Sequence, residues 1–153
     1  MKSVFAAIVI VFFASNVIAV EIPERLLDAI ATVESRNNDQ AIGDKGRAIG
    51  RFQIWKTYVN EVNRICKLKK NGKTFSYEDR KDAVKSRKMV RIYLEFWGRQ
   101  YERNTGKKAT LEVLAKIHNG HAFWKRSNTK KNEQYFKNLA NYWIKVSRKL
   151  NSK

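Results

Sequence analysis

The sequence predicts a mainly α, single domain of about five helices, with a small Gly-rich, β-like flap after the first helix. Three observations carry this reading. Apolar residues recur at the i, i+3, i+4, i+7 spacing of amphipathic helices in successive windows. The only proline, Pro23, stands where the first window begins, a position that suits its fixed φ and missing N–H. Asn, Asp and Gly concentrate between the windows, above all over 37–50.

In order, "PERLLDAIATVESR" places Leu26, Leu27, Ile30 and Val33 on one helical face, and "NND" ends that helix. The segment from Asn37 to Gly50 reads as turns or a short hairpin. A second helix is predicted over about Lys56 to Leu68, with Val59, Val62 and Ile65 inward beside Cys66. "KLKKNGKTFS" reads as a solvated loop, with Asn71-Gly72 as its turn. A long helix follows from about Glu78 or Asp82 to Arg103, with Val84, Val90, Tyr93, Leu94, Trp97 and Tyr101 inward. Thr110 is the expected N-cap of "LEVLAKIHNG". The last helix, about Asn132 to Leu150, turns Tyr135, Phe136, Leu139, Trp143 and Val146 inward.

The chain of 153 residues suffices for one domain with a real core. Its 32 Lys plus Arg against 14 Asp plus Glu give a formal charge of +18, so its surface will seek a polyanion: nucleic acid, lipid headgroups or an anionic wall polymer. Cys66 is the only cysteine, which excludes an internal disulfide and a cysteine-based metal cluster; its apolar neighbours make it a core thiol.

The first residues narrow the partner. "MKSVFAAIVIVFFASNVIAV" has a positive Lys2, an apolar stretch from Val4 to Ala14 and small residues up to Ala19. That is the pattern of a secretory signal over 1–19, cleaved after Ala19, with a releasable anchor as the other reading. The domain is then 20–153. Export to the periplasm or beyond directs the charge towards envelope polymers and away from nucleic acid, although "WKRSNTKKNEQYF" interleaves aromatic and basic residues.

Glu34 sits at the edge of the buried stripe and at the end of the first helix. A surface glutamate is the ordinary reading of such a residue. Against it, the helix stops within about a turn, a glycine-rich flap follows as a cleft wall would, and apolar neighbours raise a carboxyl's pKa towards that of a general acid. Asp44, in "GDKG", is either a second carboxylate across the cleft or a turn residue. A rival reading is a non-enzymatic, exported cationic protein that binds or disrupts anionic envelope polymers through "KLKKNGK" and "KRSNTKK". It leaves the pairing of Glu34 with the glycine flap unexplained.

"ATVESRNNDQAIGDKGRAIGRFQI" resembles the opening motifs of the lysozyme-like superfamily, in its soluble lytic transglycosylase and goose-type lysozyme branch. The shared features are Glu34-Ser35 at a helix end, then Gly46 and "AIGRFQI" with Gly50, Gln53 and Ile54. His118-Asn119-Gly120 and Tyr142 with Lys145-Val146 follow in the family's order. Arg51-Phe52 stands where Leu-Met is common, and His118 where Tyr is common. The spacing of Glu34 and Asp44 also resembles that of phage-type lysozymes, and phage lysis is one setting for such a domain.

The resemblance implies an enzyme that cleaves the β-1,4 bond between N-acetylmuramic acid and N-acetylglucosamine in peptidoglycan glycan strands; separately from it, a monomer is expected. It implies Glu34 as the catalytic acid, with Ser35 and Gln53 orienting it or contacting sugar. His118 and Asn119 would line the cleft, and Tyr142 would close the site from the last helix. Such chemistry needs a proton donor and an oxocarbenium-stabilising site, with no metal or cofactor. The second step is open: the muramoyl 6-hydroxyl gives a 1,6-anhydro product, and water positioned by a second carboxylate gives hydrolysis.

Overall fold

The computed structural model describes residues 20–70 and 72–152; the expected signal segment 1–19 and Asn71 of the expected turn lie outside the described residues. Helix α1 spans Glu24–Ser35 with Pro23 at its N-cap, and its buried face is Leu26, Leu27, Ala29, Ile30 and Ala31. Arg36 (φ 58°) and Asn37 (φ 64°) take left-handed conformations, and their N–H groups bond to the carbonyls of Thr32 and Ala31. That cap stops the helix one residue past Glu34 and satisfies its last carbonyls.

The flap is a minimal hairpin of β1 (Ile42–Gly43) and β2 (Ala48–Ile49), antiparallel, joined through a 3-10 turn at Asp44–Gly46. Helix α2 (Lys56–Leu68) buries Val59, Val62, Ile65 and Cys66. Helix α3 (Ala83–Thr105) starts at Asp82, whose carboxylate accepts from the N–H groups of Val84 and Lys85 at 2.9 and 2.8 Å. Helix α4 (Leu111–Gly120) starts at Thr110, whose hydroxyl accepts from the Val113 N–H. Helix α5 (Glu133–Leu150) buries Leu139, Tyr142 and Val146.

Helix α5 packs on α1 and α4, α4 on α3, and α3 on α2, around one core. The expected mainly α domain with a small flap is thus the observed one. Val84 departs from expectation, being 76% exposed. The buried stripe of α3 begins at Ser86, and a residue two positions earlier lies about 200° around the helix, on the solvent side.

A buried arginine fastens the flap. Arg80, in the 3-10 turn Glu78–Lys81, donates through Nε to the Tyr77 carbonyl (2.6 Å) and through Nη1 to the carbonyls of Ile54 (3.3 Å) and Arg47 (3.5 Å). Those bonds join α3's approach to both ends of the segment that carries Gln53. Replacing Arg80 with methionine keeps the packing stem and strands these carbonyls. A loss of about 2–3 kcal/mol is expected in urea unfolding, with the flap's amides losing hydrogen-exchange protection first.

Candidate active site

Local structure presents Glu34 in the last turn of α1, where the left-handed cap turns the chain away and opens the helix end to the flap. Tertiary packing then surrounds the carboxyl. Tyr142, on the α5 face packed against α1, donates its hydroxyl to Glu34 Oε1 at 2.8 Å. His118, in the last turn of α4, places Nε2 3.7 Å from the same oxygen, with its side chain only 4% exposed. Tyr58 of α2 lies 3.5 Å from His118 Nδ1 through its hydroxyl and stacks on Tyr93 with ring centroids 3.8 Å apart.

The electrostatics follow from this enclosure. Burial raises the Glu34 pKa to about 7, against the opposing influence of the Tyr142 hydrogen bond and the Lys145 charge. A buried carboxylate loses the hydration that stabilises its charge, so the neutral acid persists to neutral pH. Burial likewise lowers the His118 pKa to about 4, although a hydrogen bond to the Phe52 backbone works the other way. His118 is therefore neutral at physiological pH, and its contact with Glu34 is not an ion pair.

Glu34 opens onto a cleft of about 770 Å³ between the flap, α2 and the end of α4. Gln53, His118, Asn119 and Asp44 line it together with Glu34. Gln53 has φ 48° and donates its amide to the Gly50 carbonyl at 3.0 Å. Its side chain crosses Gly43 so closely that a Cβ there would lie 2.2 Å from Gln53 Oε1. Asp44 is at the rim, paired with Arg47 at 2.8 Å. Ser35 does not line the cleft: its hydroxyl donates to the Arg51 carbonyl (3.0 Å) and accepts from the Asn38 N–H (3.0 Å), tying the end of α1 to the flap. Tyr142 sits behind Glu34, away from the open side.

Sequence reasoning overlooked the α2 wall. Trp55, Tyr58 and Glu61 all line the cleft, as do Tyr93 and His121. The i, i+3, i+6 recurrence of Trp55, Tyr58 and Glu61 directly after Gln53-Ile54 was the available signal, because it puts one face of α2 beside the flap. Among the described residues no group of three His, Cys, Asp or Glu side chains is arranged to hold a metal ion.

Tyr142→Phe tests the local electrostatics. The Tyr142 hydroxyl favours the ionised carboxylate, so its removal raises the Glu34 pKa further. The Glu34 titration, followed by the NMR shift of its carboxyl carbon, is expected to move above pH 7, and an unmoved or lowered midpoint contradicts this account.

No curated protein matches the chain. The family model described as the Transglycosylase SLT domain matches residues 13–140, a span that includes Glu34, Gln53, His118 and Asn119 and stops short of Tyr142. A mainly α domain with a cleft between its flap and helices, matched over most of its length, settles the family: the chain belongs to the SLT transglycosylase domain family of the lysozyme-like superfamily, whose members are lytic transglycosylases acting on peptidoglycan.

Proposed function

We propose that the protein is an exported lytic transglycosylase that cleaves the β-1,4 bond between N-acetylmuramic acid and N-acetylglucosamine, with Glu34 as general acid and then general base. The observation that carries this reading is the partly buried Glu34 carboxyl, held near pKa 7 on the wall of an open cleft. A group titrating near the working pH can both give and take a proton efficiently.

In the first step the Glu34 carboxyl gives its proton to the glycosidic oxygen. The C1–O bond breaks, its electron pair staying with the departing N-acetylglucosamine oxygen, and an oxocarbenium-like centre is left on the muramoyl ring. In the second step the muramoyl 6-hydroxyl oxygen bonds to C1 and its proton returns to the Glu34 carboxylate. Both strand ends are accounted for and the enzyme is restored. His118 serves as a neutral wall beside the reacting carbon, Asn119 and Gln53 as polar contacts for the sugar, and Tyr142 as the donor that fixes the carboxyl's orientation. Ser35 acts at one remove, by holding the flap to the end of α1.

The place of Asp44 favours this internal attack over water, since its carboxylate stands at the rim of the cleft with one oxygen engaged by Arg47 rather than beside Glu34. Mass spectrometry of the released muropeptides is the test: 1,6-anhydro ends are expected, and reducing ends instead assign the second step to water. Residues 1–19 are the export signal and 20–153 the working domain, acting as a monomer. The strong positive charge of that domain, the full chain's +18 less only Lys2, then concentrates the enzyme on anionic envelope polymers without itself performing chemistry.

A further inference from the structure

The cleft has three carboxylates, Glu34, Asp44 and Glu61, and two of them are each held by an arginine three residues later. Arg64 binds Glu61 through two bonds of 2.7 Å. Arg47 donates through Nη2 to Asp44 Oδ1 at 2.8 Å and through Nε to the Asp44 carbonyl at 3.3 Å. Each guanidinium also lies over a ring, that of Arg47 4.6 Å from the Trp55 centroid and that of Arg64 5.5 Å from the Phe96 centroid, and of the two rings it is Trp55 that lines the cleft.

That flap end of the cleft has no part in the chemistry at Glu34, yet it is specifically built. Trp55 is 40% exposed at the mouth of the cleft, where its indole stands outside the core. Asp44, Lys45 and Gly46 take φ of 46°, 54° and 86° in succession, a left-handed turn that pairs Asp44 with Arg47, whose guanidinium lies over Trp55. Backbone strain of this kind persists where the surroundings over-determine it, and it concentrates at binding sites. The Arg47 and Asp44 side chains remain 59% and 38% exposed, so their ion pair exchanges readily. Trp55 precedes Tyr58 by three residues, about 4.5 Å along the helix, and Tyr58 reaches the His118 that borders Glu34.

We propose that the flap end of the cleft is a subsite for a carboxylate-bearing sugar of the glycan strand: Trp55 takes the apolar face of the pyranose, Arg47 binds the carboxylate, and Asp44 holds Arg47 in place until that carboxylate replaces its own. A planar guanidinium matches a carboxylate through two parallel bonds, and lying on an indole it is already oriented to make them. The exchange releases the Asp44 carboxylate to solvent at the rim, where its side chain is already 38% exposed, so the charge that loses its partner is a hydrated one. A neutral strand stacks on Trp55 and leaves the Asp44 pair undisturbed, which makes the subsite selective for acidic strands.

The inference rests on the glycan-cleaving reading above, and its test separates the two. Full-length Glu34→Gln protein is titrated, by tryptophan fluorescence and calorimetry, with three glycan strands. One keeps its peptide stems, one has had them removed to bare the lactyl carboxyl, and one is the bared strand with its carboxyls amidated. The amidated strand is expected to bind about tenfold more weakly than the better acidic strand, the loss of one charge-assisted contact. Arg47→Ala in the same background is expected to reduce both acidic strands to the amidated level. Trp55→Ala is expected to weaken all three, with Trp55→Phe restoring part of the loss. The tighter of the two acidic strands identifies the carboxylate as lactyl or stem. Affinity that is unchanged by amidation and by Arg47→Ala overturns the subsite. Continued cleavage by Glu34→Gln overturns the acid's assignment instead, whatever Arg47 does.

Discussion

Glu34→Gln is expected to slow peptidoglycan clearing by about a hundred- to ten-thousandfold, the range that one positioned acid–base group contributes. Glutamine keeps the shape of the side chain, and its carbonyl can still accept from the Tyr142 hydroxyl, so the fold around it should persist. What it lacks is the proton that the leaving oxygen needs. A Gln variant that clears walls at the parent's rate would falsify the enzymatic role of Glu34 and return the protein to the cationic, non-enzymatic reading.

The same substitution makes a second prediction, of opposite sign, on stability. The Glu34 pKa is about 7 in the fold against an ordinary 4.5, so the folded protein binds this proton more tightly than the unfolded chain. Stability linked to that proton is fully present below about pH 4.5 and is lost as pH rises through about 7. Above pH 7 the parent holds a buried charge, a cost on the order of 3 kcal/mol. Glu34→Gln, with nothing to ionise, is therefore expected to be the more stable protein at pH 8, with the advantage shrinking towards pH 5. Thermal melts of the two across that interval check it. A stable but inactive variant is the ordinary signature of a site that holds strain for function.

The largest structural effect is expected at Gly50. Its φ is +77°, and a Cβ added there would lie 1.9 Å from the Arg80 carbonyl oxygen. Alanine at this position meets both an unfavourable left-handed backbone and a collision with main chain rather than with a yielding side-chain tip. A loss of about 3–5 kcal/mol is expected, a large fraction of a domain's stability. Gly46 is the control. Its φ is +86°, but nothing lies within 4 Å of its added Cβ, so Gly46→Ala should cost only the backbone term, about 1–2 kcal/mol. Urea midpoints of the two variants at an unchanged m-value make the comparison. Equal losses would mean that the contact with Arg80 does not hold the flap.

Much of the fold was legible because its causes are local. The α2 limits of Lys56–Leu68 follow from apolar periodicity, and the cap at Thr110 from a single polar side chain, whereas the start of α3, open between Glu78 and Asp82 in the sequence, is placed at Asp82 by the cap seen in the structure. Glu34 stood out for a local reason too, as an acid beside an apolar stripe at a helix end. Val84 misled because its hydrophobicity was read without its angle to the stripe that starts at Ser86. Ser35 looked, by its place in the motif, like a residue that orients Glu34 or contacts sugar, whereas its hydroxyl is spent on the backbone of Arg51 and Asn38.

The sequence by itself determined where the helices run, that a glycine-rich flap follows the first, and that one carboxyl waits at their junction. Only the tertiary structure decided that carboxyl's chemistry. Tyr142 reaches Glu34 across 108 positions of chain, and Tyr58 reaches His118 across 60. Arg80 fastens a flap that lies 26 and 33 residues away in the chain. Periodicity and capping act within a few residues, so they can be read along the chain. A raised pKa is the desolvation supplied by helices distant in sequence, and it exists only once α1, α4 and α5 have closed around Glu34.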